Sequence, residues 1–404
     1  MARLRQLTMG SPSRLFLSTR GLTSGLALVL ALYYTKLLGV EKRSILVFIM
    51  VSALILTVIF TSGVSLTFRN RSAESINSKS IMAYLTTITV GGFGVAILSS
   101  ALLSFYSQSK SEIPTSIYII GFVYSFLACV NLGFQDALVA KGNLKLATFL
   151  DFVTILIQAL GVIFFIYLDQ TSLFMSVIIS FVISYLLIVF ATLSVFIQTE
   201  KLEFRGVREE IKTLLNSSKQ NQLFGIANGM ADRLDRFLIG LMLPLTFLAK
   251  YALITSLISF TRFFPEAYNR LTLLKHHQDQ ARQKRELGVL AYALFGIAVI
   301  AFVFVSQGFI QIVFGEKWLL PINVAMIFAV QELLRGWYQS NATKLVAIGG
   351  SREVSQISLF LIVGALVLMV IGINLIGLLG APVSMAILYA VLNIAISRKL
   401  KVLN

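Results

Sequence analysis

Charge is scarce in this chain, and so are the residue types that soluble catalysts depend on. Only 13% of the 404 residues are Asp, Glu, Lys or Arg, with two histidines, one cysteine and six prolines. A single cysteine, Cys129, excludes an intramolecular disulfide, and its apolar surroundings make it a buried, inert thiol. His276 and His277 are adjacent in a basic stretch. Neighbours in sequence cannot share a helix face, so they do not read as a metal site. There is no Walker loop, and the glycines of GGFG at 91–94 lie inside an apolar run, where close helix packing is the plain role. No outer loop is long enough to house an active site. The chain therefore reads as a non-enzyme, with no catalytic residue, no metal ligand and no cofactor beyond an H+ or Na+ that could be coupled to its work.

What the chain has in abundance is apolar sequence, 57% hydrophobic with a mean hydropathy of +0.85. This places it far from a soluble domain. The N-terminus, MARLRQLTMGSPSRLFLSTRG, begins like a secretory signal. No small-x-small cleavage site follows, so it is expected to lead into an uncleaved first helix. Crossing roughly 30 Å of hydrocarbon takes about 20 helical residues. Twelve runs qualify: 15–39, 44–67, 81–106, 116–139, 146–168, 172–197, 221–244, 247–270, 288–314, 320–346, 354–376 and 378–397. The expectation is an all-α integral membrane protein of about twelve transmembrane helices.

The basic residues test that count. The net charge of +16 would suit nucleic acid if it were clustered, but Lys and Arg instead concentrate in alternate loops. Of 34, 23 fall in one set of loops and termini and six (Lys36, Lys42, Arg43, Lys110, Lys250 and Lys317) in the other, the remaining five lying inside helices. The positive-inside rule then puts both termini in the cytoplasm. Residues 199–220, with alternating acids and bases, predict an amphipathic cytosolic linker between a six-helix lobe at 1–198 and another at 221–404. Tyr33–Ile55 and Phe237–Ile258 echo one another as helix, short turn, helix. Two such halves are a transporter layout.

The polar residues inside the apolar runs carry the functional signal. The stretch Asn221–Tyr251 reads as a spanning helix, yet holds Asp232, Arg233, Asp235 and Arg236 near its middle. Each charge facing lipid there would cost roughly 2.5–3.5 kcal/mol. At 100° per residue Asn221, Gly225, Asn228, Asp232, Asp235 and Arg236 fall within roughly 120°, with Arg233 at the edge, which predicts a polar stripe lining a cavity. The tenth span repeats the pattern with Gln331, Glu332, Arg335, Tyr338, Gln339 and Thr343 mainly on one side. In the eighth, Arg262, Glu266 and Arg270 follow at i+4 steps around Pro265. Individual pairs, such as Asp232 with Arg236, read equally as structural ion pairs. Three helices of one half that each turn Arg inward favour a cavity, since a fold needing only adhesion would use small or neutral polar residues.

The first half is quieter. Tyr124, Asn131 and Gln135 share a face with Asp136 nearby, and interhelical hydrogen bonding competes with a cavity role. Asp151, near the cytoplasmic end of the fifth span, reads as a snorkelling or capping acid ahead of a proton carrier, and Arg20 stands one turn inside the first span, where snorkelling competes with a place at the cavity mouth.

At these residues the sequence resembles a known family, the Wzx-type polysaccharide flippases of the MOP (MATE-like) superfamily. The resemblance rests on DRLDRFLIGLMLPLTFLAKYAL, SFTRFFPEAYNRL, FGEKWLLPINVAMIFA and, in the first half, KLLGVEKRSILVF. Ala249 and Lys250 precede Tyr251 where the family usually has Gly, a minor departure. The resemblance implies two six-helix lobes around a cavity open to one side at a time. It implies a bacterial cytoplasmic (inner) membrane protein that moves an undecaprenyl-pyrophosphate-linked oligosaccharide (an O-antigen or exopolysaccharide unit) to the outer leaflet. Membrane lipids, and a polysaccharide polymerase and chain-length proteins, would be its partners, and nucleic acid would not.

Arg233, Arg236, Arg262 and Arg335 are suited to phosphate or carboxylate. Tyr338, Gln339, Asn131, Gln135 and Arg20 complete the candidate cavity, with Asp232, Asp235, Glu266, Glu332 and Asp136 as charge partners or ion-coupling acids. A MATE-type cation-coupled multidrug exporter is the alternative, but the first helix offers Arg20 and no acid, leaving Asp136 as its best carboxylate. A membrane polysaccharide polymerase or ligase would need substantial outer loops. The lipid II flippase branch usually carries two further helices, for which the chain has no room.

Overall fold

The structure, a computed structural model, describes residues 10–69, 71, 76–110, 114–167, 172–199, 206–231, 233–259, 284–347 and 351–403. The described residues form helices and turns only, as expected for chains that must satisfy every backbone group within lipid. In order they are α1 (Gly10–Arg69), α2 (Ser78–Lys110), α3 (Thr115–Ala140), α4 (Leu144–Tyr167), α5 (Leu173–Thr199), α6 (Val207–Ala231), α7 (Leu234–Met242), α8 (Leu245–Ser259), α9 (Lys284–Phe314), α10 (Ile322–Ala347), α11 (Ser351–Ile376) and α12 (Gly380–Leu403). Seven stretches among them are long and apolar enough to cross a membrane. Two, Gly21–Arg69 and Gln356–Lys401, have 49 and 46 residues, room for two crossings each at about 20 residues per crossing. This is an all-α integral membrane protein.

The chain divides into two compact units, Met1–Gly229 and Met230–Asn404. In the first, the expected turn at 40–43 shrinks to one residue. The first two spans form the single element α1, broken only at Gly39, where φ is 69° and ψ 179°. Only glycine adopts that backbone without strain.

Lipid supplies no hydrophobic drive for helix association, so close approach and polar contacts do the work. Ser125 of α3 donates to Ser99 of α2 at 2.9 Å, with Ser52 of α1 3.5 Å from Ser99. Phe68 stacks on Tyr84 with ring centres 4.2 Å apart, and the Tyr84 hydroxyl meets Ser65 at 2.8 Å.

Helix α6 shows how the middle of the chain is used. Residues 207–220, expected as a linker, and 221–231, expected as the start of a span, make one continuous helix. Its Gly225 and Gly229 are pressed on Ser62 and Val58 of α1, where a Cβ would come within 2.6 Å of side-chain carbons. Asn221 donates to Thr67 at 2.8 Å. The carboxamide of Gln222 bridges Gly63 N–H, at 2.9 Å, and the carbonyl of Ile59, two groups that an undistorted helix pairs with each other. Asn221 and Gly225, expected on a cavity-lining stripe, therefore face α1. The side chain of Asn228 is outside the described ones.

At the start of α6, Glu210 accepts from Arg71 at 2.7 Å and from Ser80 at 3.0 Å. The hydrogen bond from Arg71 is the main reason that its carboxyl is held below the usual glutamate range.

In the second unit, Gly372 of α11 and Gly380 at the start of α12 approach backbone to backbone, and Ser384 donates to Leu368 O at 2.7 Å. Asn393 of α12 donates to Leu334 O of α10 at 2.8 Å, and the Tyr338 and Tyr389 rings stand 5.7 Å apart.

Candidate functional site

The sequence predicts the seventh span as one helix over 221–244, and the structure breaks it. Helix α6 ends at Ala231, and Arg233 has φ −135° and ψ −17°, outside helical geometry, before α7 begins at Leu234. A single 100° progression therefore does not run from Asn221 to Arg236. The polar residues past the break belong to a separate nine-residue helix in the second unit.

The break puts Asp235 in the first turn of α7, where the helix dipole favours an anion. It is 5% exposed. One carboxylate oxygen accepts from the Arg236 backbone N–H at 2.7 Å and lies 3.8 Å from the Arg236 Nε. The other accepts from the Tyr251 hydroxyl at 3.0 Å. Tyr251 reaches it because Leu243 and Pro244 turn the chain from α7 into α8, so residues sixteen apart in sequence meet. Tyr251 also feels the charges of Arg236 and of Glu332 on α10.

On α10, Glu332 and Arg335 are 2% and 5% exposed and pair across one turn at 3.6 Å. Gln331 and Tyr338 are buried, Gln339 is half-buried, and Trp337 turns outward at 51% exposure. Of the polar residues expected on one side of this span, Gln331, Glu332, Arg335 and Tyr338 face the interior of the second unit, Gln339 does so in part, and the side chain of Thr343 lies outside the described ones. Isolated buried charges are prohibitive, and removing one partner of a buried pair costs about 3–5 kcal/mol. This cluster keeps its charges inside by pairing them, Asp235 with Arg236 and Tyr251, Glu332 with Arg335. Chemically it offers two guanidinium groups whose present partners are carboxylates. A phosphate or a sugar acid could take a carboxylate's place on a guanidinium without creating a naked charge.

In the first unit, Asn131 is buried on α3 and Gln135 half-buried. Asp136 pairs with Arg69 at the end of α1 at 3.3 Å. Asp232, Arg262 and Glu266 lie outside the described residues, as does the side chain of Arg20 in α1. Two residues escaped the sequence reading. Tyr251 is an unremarkable tyrosine in an apolar run, and the only signal for it is the acid sixteen residues earlier across a Leu-Pro turn. Arg43 counts by sequence as a loop cation, yet the structure buries it inside the first unit.

No family model matches the sequence, and none of the curated proteins does. Solved structures do match its fold. An inward closed lipid II flippase MurJ aligns with a TM-score of 0.70 at 13% identity, over 96% of this chain and 87% of that one. An inward-facing multidrug resistance MATE family transporter of the MOP superfamily aligns at 0.65 and 14%, over 95% of each chain. The MATE multidrug transporter DinF-BH aligns at 0.63 and 15%, over 96% of this chain and 95% of that one. The likeness extends over nearly the whole chain and establishes a shared fold.

Proposed function

We propose that the chain is a flippase that moves a lipid-linked, anionic oligosaccharide, an undecaprenyl-pyrophosphate-linked repeat unit, from the cytoplasmic to the outer leaflet of a bacterial inner membrane by alternating access. The observation that carries the proposal is the pair of buried charged groups in the second unit of a MATE-like fold, Asp235 with Arg236 and Tyr251, and Glu332 with Arg335. Arg236 and Arg335 hold the substrate's negative charge in exchange for their carboxylates. Asp235 and Glu332, with Asp232, take the freed positions or a coupling proton, and no covalent chemistry is involved. Arg233, Arg262, Tyr338, Gln339, Asn131, Gln135 and Arg20 line the route in this proposal, with Glu266 as a charge partner. A cytoplasmic position of both termini follows from the distribution of basic residues. The two halves that move are the units Met1–Gly229 and Met230–Asn404, rather than lobes joined through 199–220, since 207–231 is one helix, of the first unit as far as Gly229.

Two of the similar folds belong to multidrug transporters, which keeps cation-coupled drug export as the second reading. Asp136, the acid which that reading would enlist, is engaged by Arg69 at 3.3 Å, which favours the flippase.

The test is export of surface polysaccharide in a host whose own flippase is deleted, comparing wild type, Arg236→Ala and Arg335→Ala at matched membrane abundance. Restoration by wild type and loss in both variants is expected. Normal export in both variants would remove the cationic site from the mechanism, and a gain of dye efflux without export would replace the flippase by the exporter.

A further inference from the structure

Arg43 is 6% exposed, and among the described residues its Nε has no hydrogen-bond partner. It stands in the first turn after Gly39, at the start of the second half of α1. The backbone N–H groups of that turn have no carbonyl behind them within the helix, so the local field is already positive. Lys36 and Lys42 flank it, exposed. The nearest carboxylate in sequence, Glu41, is exposed too. The group that Arg43 meets electrostatically is the phenol of Tyr34, on the other side of the Gly39 break. Tyr34 is as deeply buried, and its hydroxyl also has no partner among the described residues. Phe181 of α5 packs on Tyr34, with ring centres 5.5 Å apart, and Tyr124 of α3 and Tyr185 of α5 stand 6.1 and 6.4 Å from Phe181.

This is an unusual arrangement for a protein interior. A buried guanidinium normally faces a carboxylate, because the desolvation cost of the bare charge is several kcal/mol. Here an arginine Nε and a phenol hydroxyl, both buried and without a hydrogen-bond partner among the described residues, lie at a helix N-terminus. The phenol oxygen can accept as well as donate, but no carboxylate is placed against the guanidinium among the described residues. Such a donor set is completed by an oxyanion, and the planar guanidinium suits the two oxygens of a phosphate or carboxylate.

We infer that Arg43 and Tyr34 form an oxyanion-binding site in the first unit, at the Gly39 end of α1, which takes a phosphate or carboxylate group from outside the chain. The site goes beyond the proposed function, since it shares no residue with the cluster of the second unit and is compatible with either transport reading. Headgroup phosphate and an anionic group on a soluble sugar present the same chemistry, and the test separates them.

The experiment uses the chain with Arg236 and Arg335 in place, in a neutral detergent, so that no buried carboxylate of the second unit loses its partner, and the site is read from the change in affinity on substitution at Arg43 and Tyr34. Inorganic phosphate, glucuronate and phosphatidylglycerol are titrated calorimetrically, with glucose as the neutral control. Saturable binding of at least one anion is expected and none of glucose, with affinity falling at least about ten-fold in Arg43→Gln and a few-fold in Tyr34→Phe, and less in Arg43→Lys. Binding of phosphatidylglycerol alone assigns the site to a lipid headgroup, and binding of glucuronate or phosphate assigns it to a soluble group. Binding of no anion overturns the inference, as does an affinity indifferent to Arg43→Gln. Where Arg43→Gln does not fold, unchanged affinity in both Tyr34→Phe and Arg43→Lys overturns it equally.

Discussion

The contact of α6 with α1 makes a quantitative prediction at Gly63. A Cβ there would stand 2.8 Å from the Cα of Gln222 and 2.9 Å from the carbonyl oxygen of Ser218, both backbone atoms that cannot rotate away. Comfortable carbon contacts need about 3.5 Å, so the helices must separate by about 0.6–0.7 Å. Overpacking of this kind costs about 1–3 kcal/mol. Separation also disturbs the two hydrogen bonds of Gln222, each worth about 0.5–1.5 kcal/mol. Against this, Ala gains about 1 kcal/mol over Gly in a helix. Gly63→Ala should therefore destabilise by about 1–5 kcal/mol, a fall in melting temperature of at least about 2 °C at about 2–4 °C per kcal/mol. Gly25 lies in the same helix with nothing within 4 Å of its virtual Cβ. There only the propensity gain operates, and Gly25→Ala should raise stability by up to about 1 kcal/mol. Cys129, the single cysteine and fully buried in α3, provides the assay. A thiol-reactive dye reports its exposure as the purified protein is heated. Equal or higher stability of Gly63→Ala, or a matching loss in Gly25→Ala, would refute the packing argument.

Tyr251→Phe removes the hydroxyl that Asp235 accepts from at 3.0 Å. A buried acceptor left short costs about 1–3 kcal/mol, so the variant should melt lower and transport less, while the same change at the exposed Tyr33 should do neither. The Glu210 contact predicts a pH dependence. Its carboxyl is held below the ordinary value of 4.5, chiefly by Arg71. A depressed carboxyl stabilises the fold above the unfolded value, and the gain is lost as pH falls through the lowered one. Thermal melting should be flat with respect to this group down to about pH 5 and decline below 4.5, with Glu210→Gln lower at neutral pH and lacking that part of the decline.

Much of this protein follows from elementary properties of its sequence. Apolar runs about 20 residues long have one stable solution in lipid, the helix, because no water satisfies the backbone there. The spans at α3, α4, α5, α9, α11 and α12 were legible for that reason. The inward face of α10 was legible too, because five polar residues at helical spacing in an apolar run must turn to one side. The seventh span was not. Its 100° phase holds only while the helix continues, and at the break before Leu234 Gly225 and Gly229 pack on α1 while Asp235 meets Tyr251, contacts between residues far apart in sequence.

The same distinction separates the two buried arginine sites. Arg236 and Arg335 announce themselves because charge inside a run of apolar residues is costly wherever the run goes. Arg43 lies next to a glycine and two other charges, as a loop residue would. Its burial goes with the one-residue turn at Gly39, which puts Arg43 and Tyr34 in one region of the first unit. Composition and periodicity determined that the chain spans a membrane as helices and which of them carry charge inward. Which charges meet, and which donors are left to await an acceptor, depends on contacts between residues far apart in sequence, and only the tertiary structure decides those.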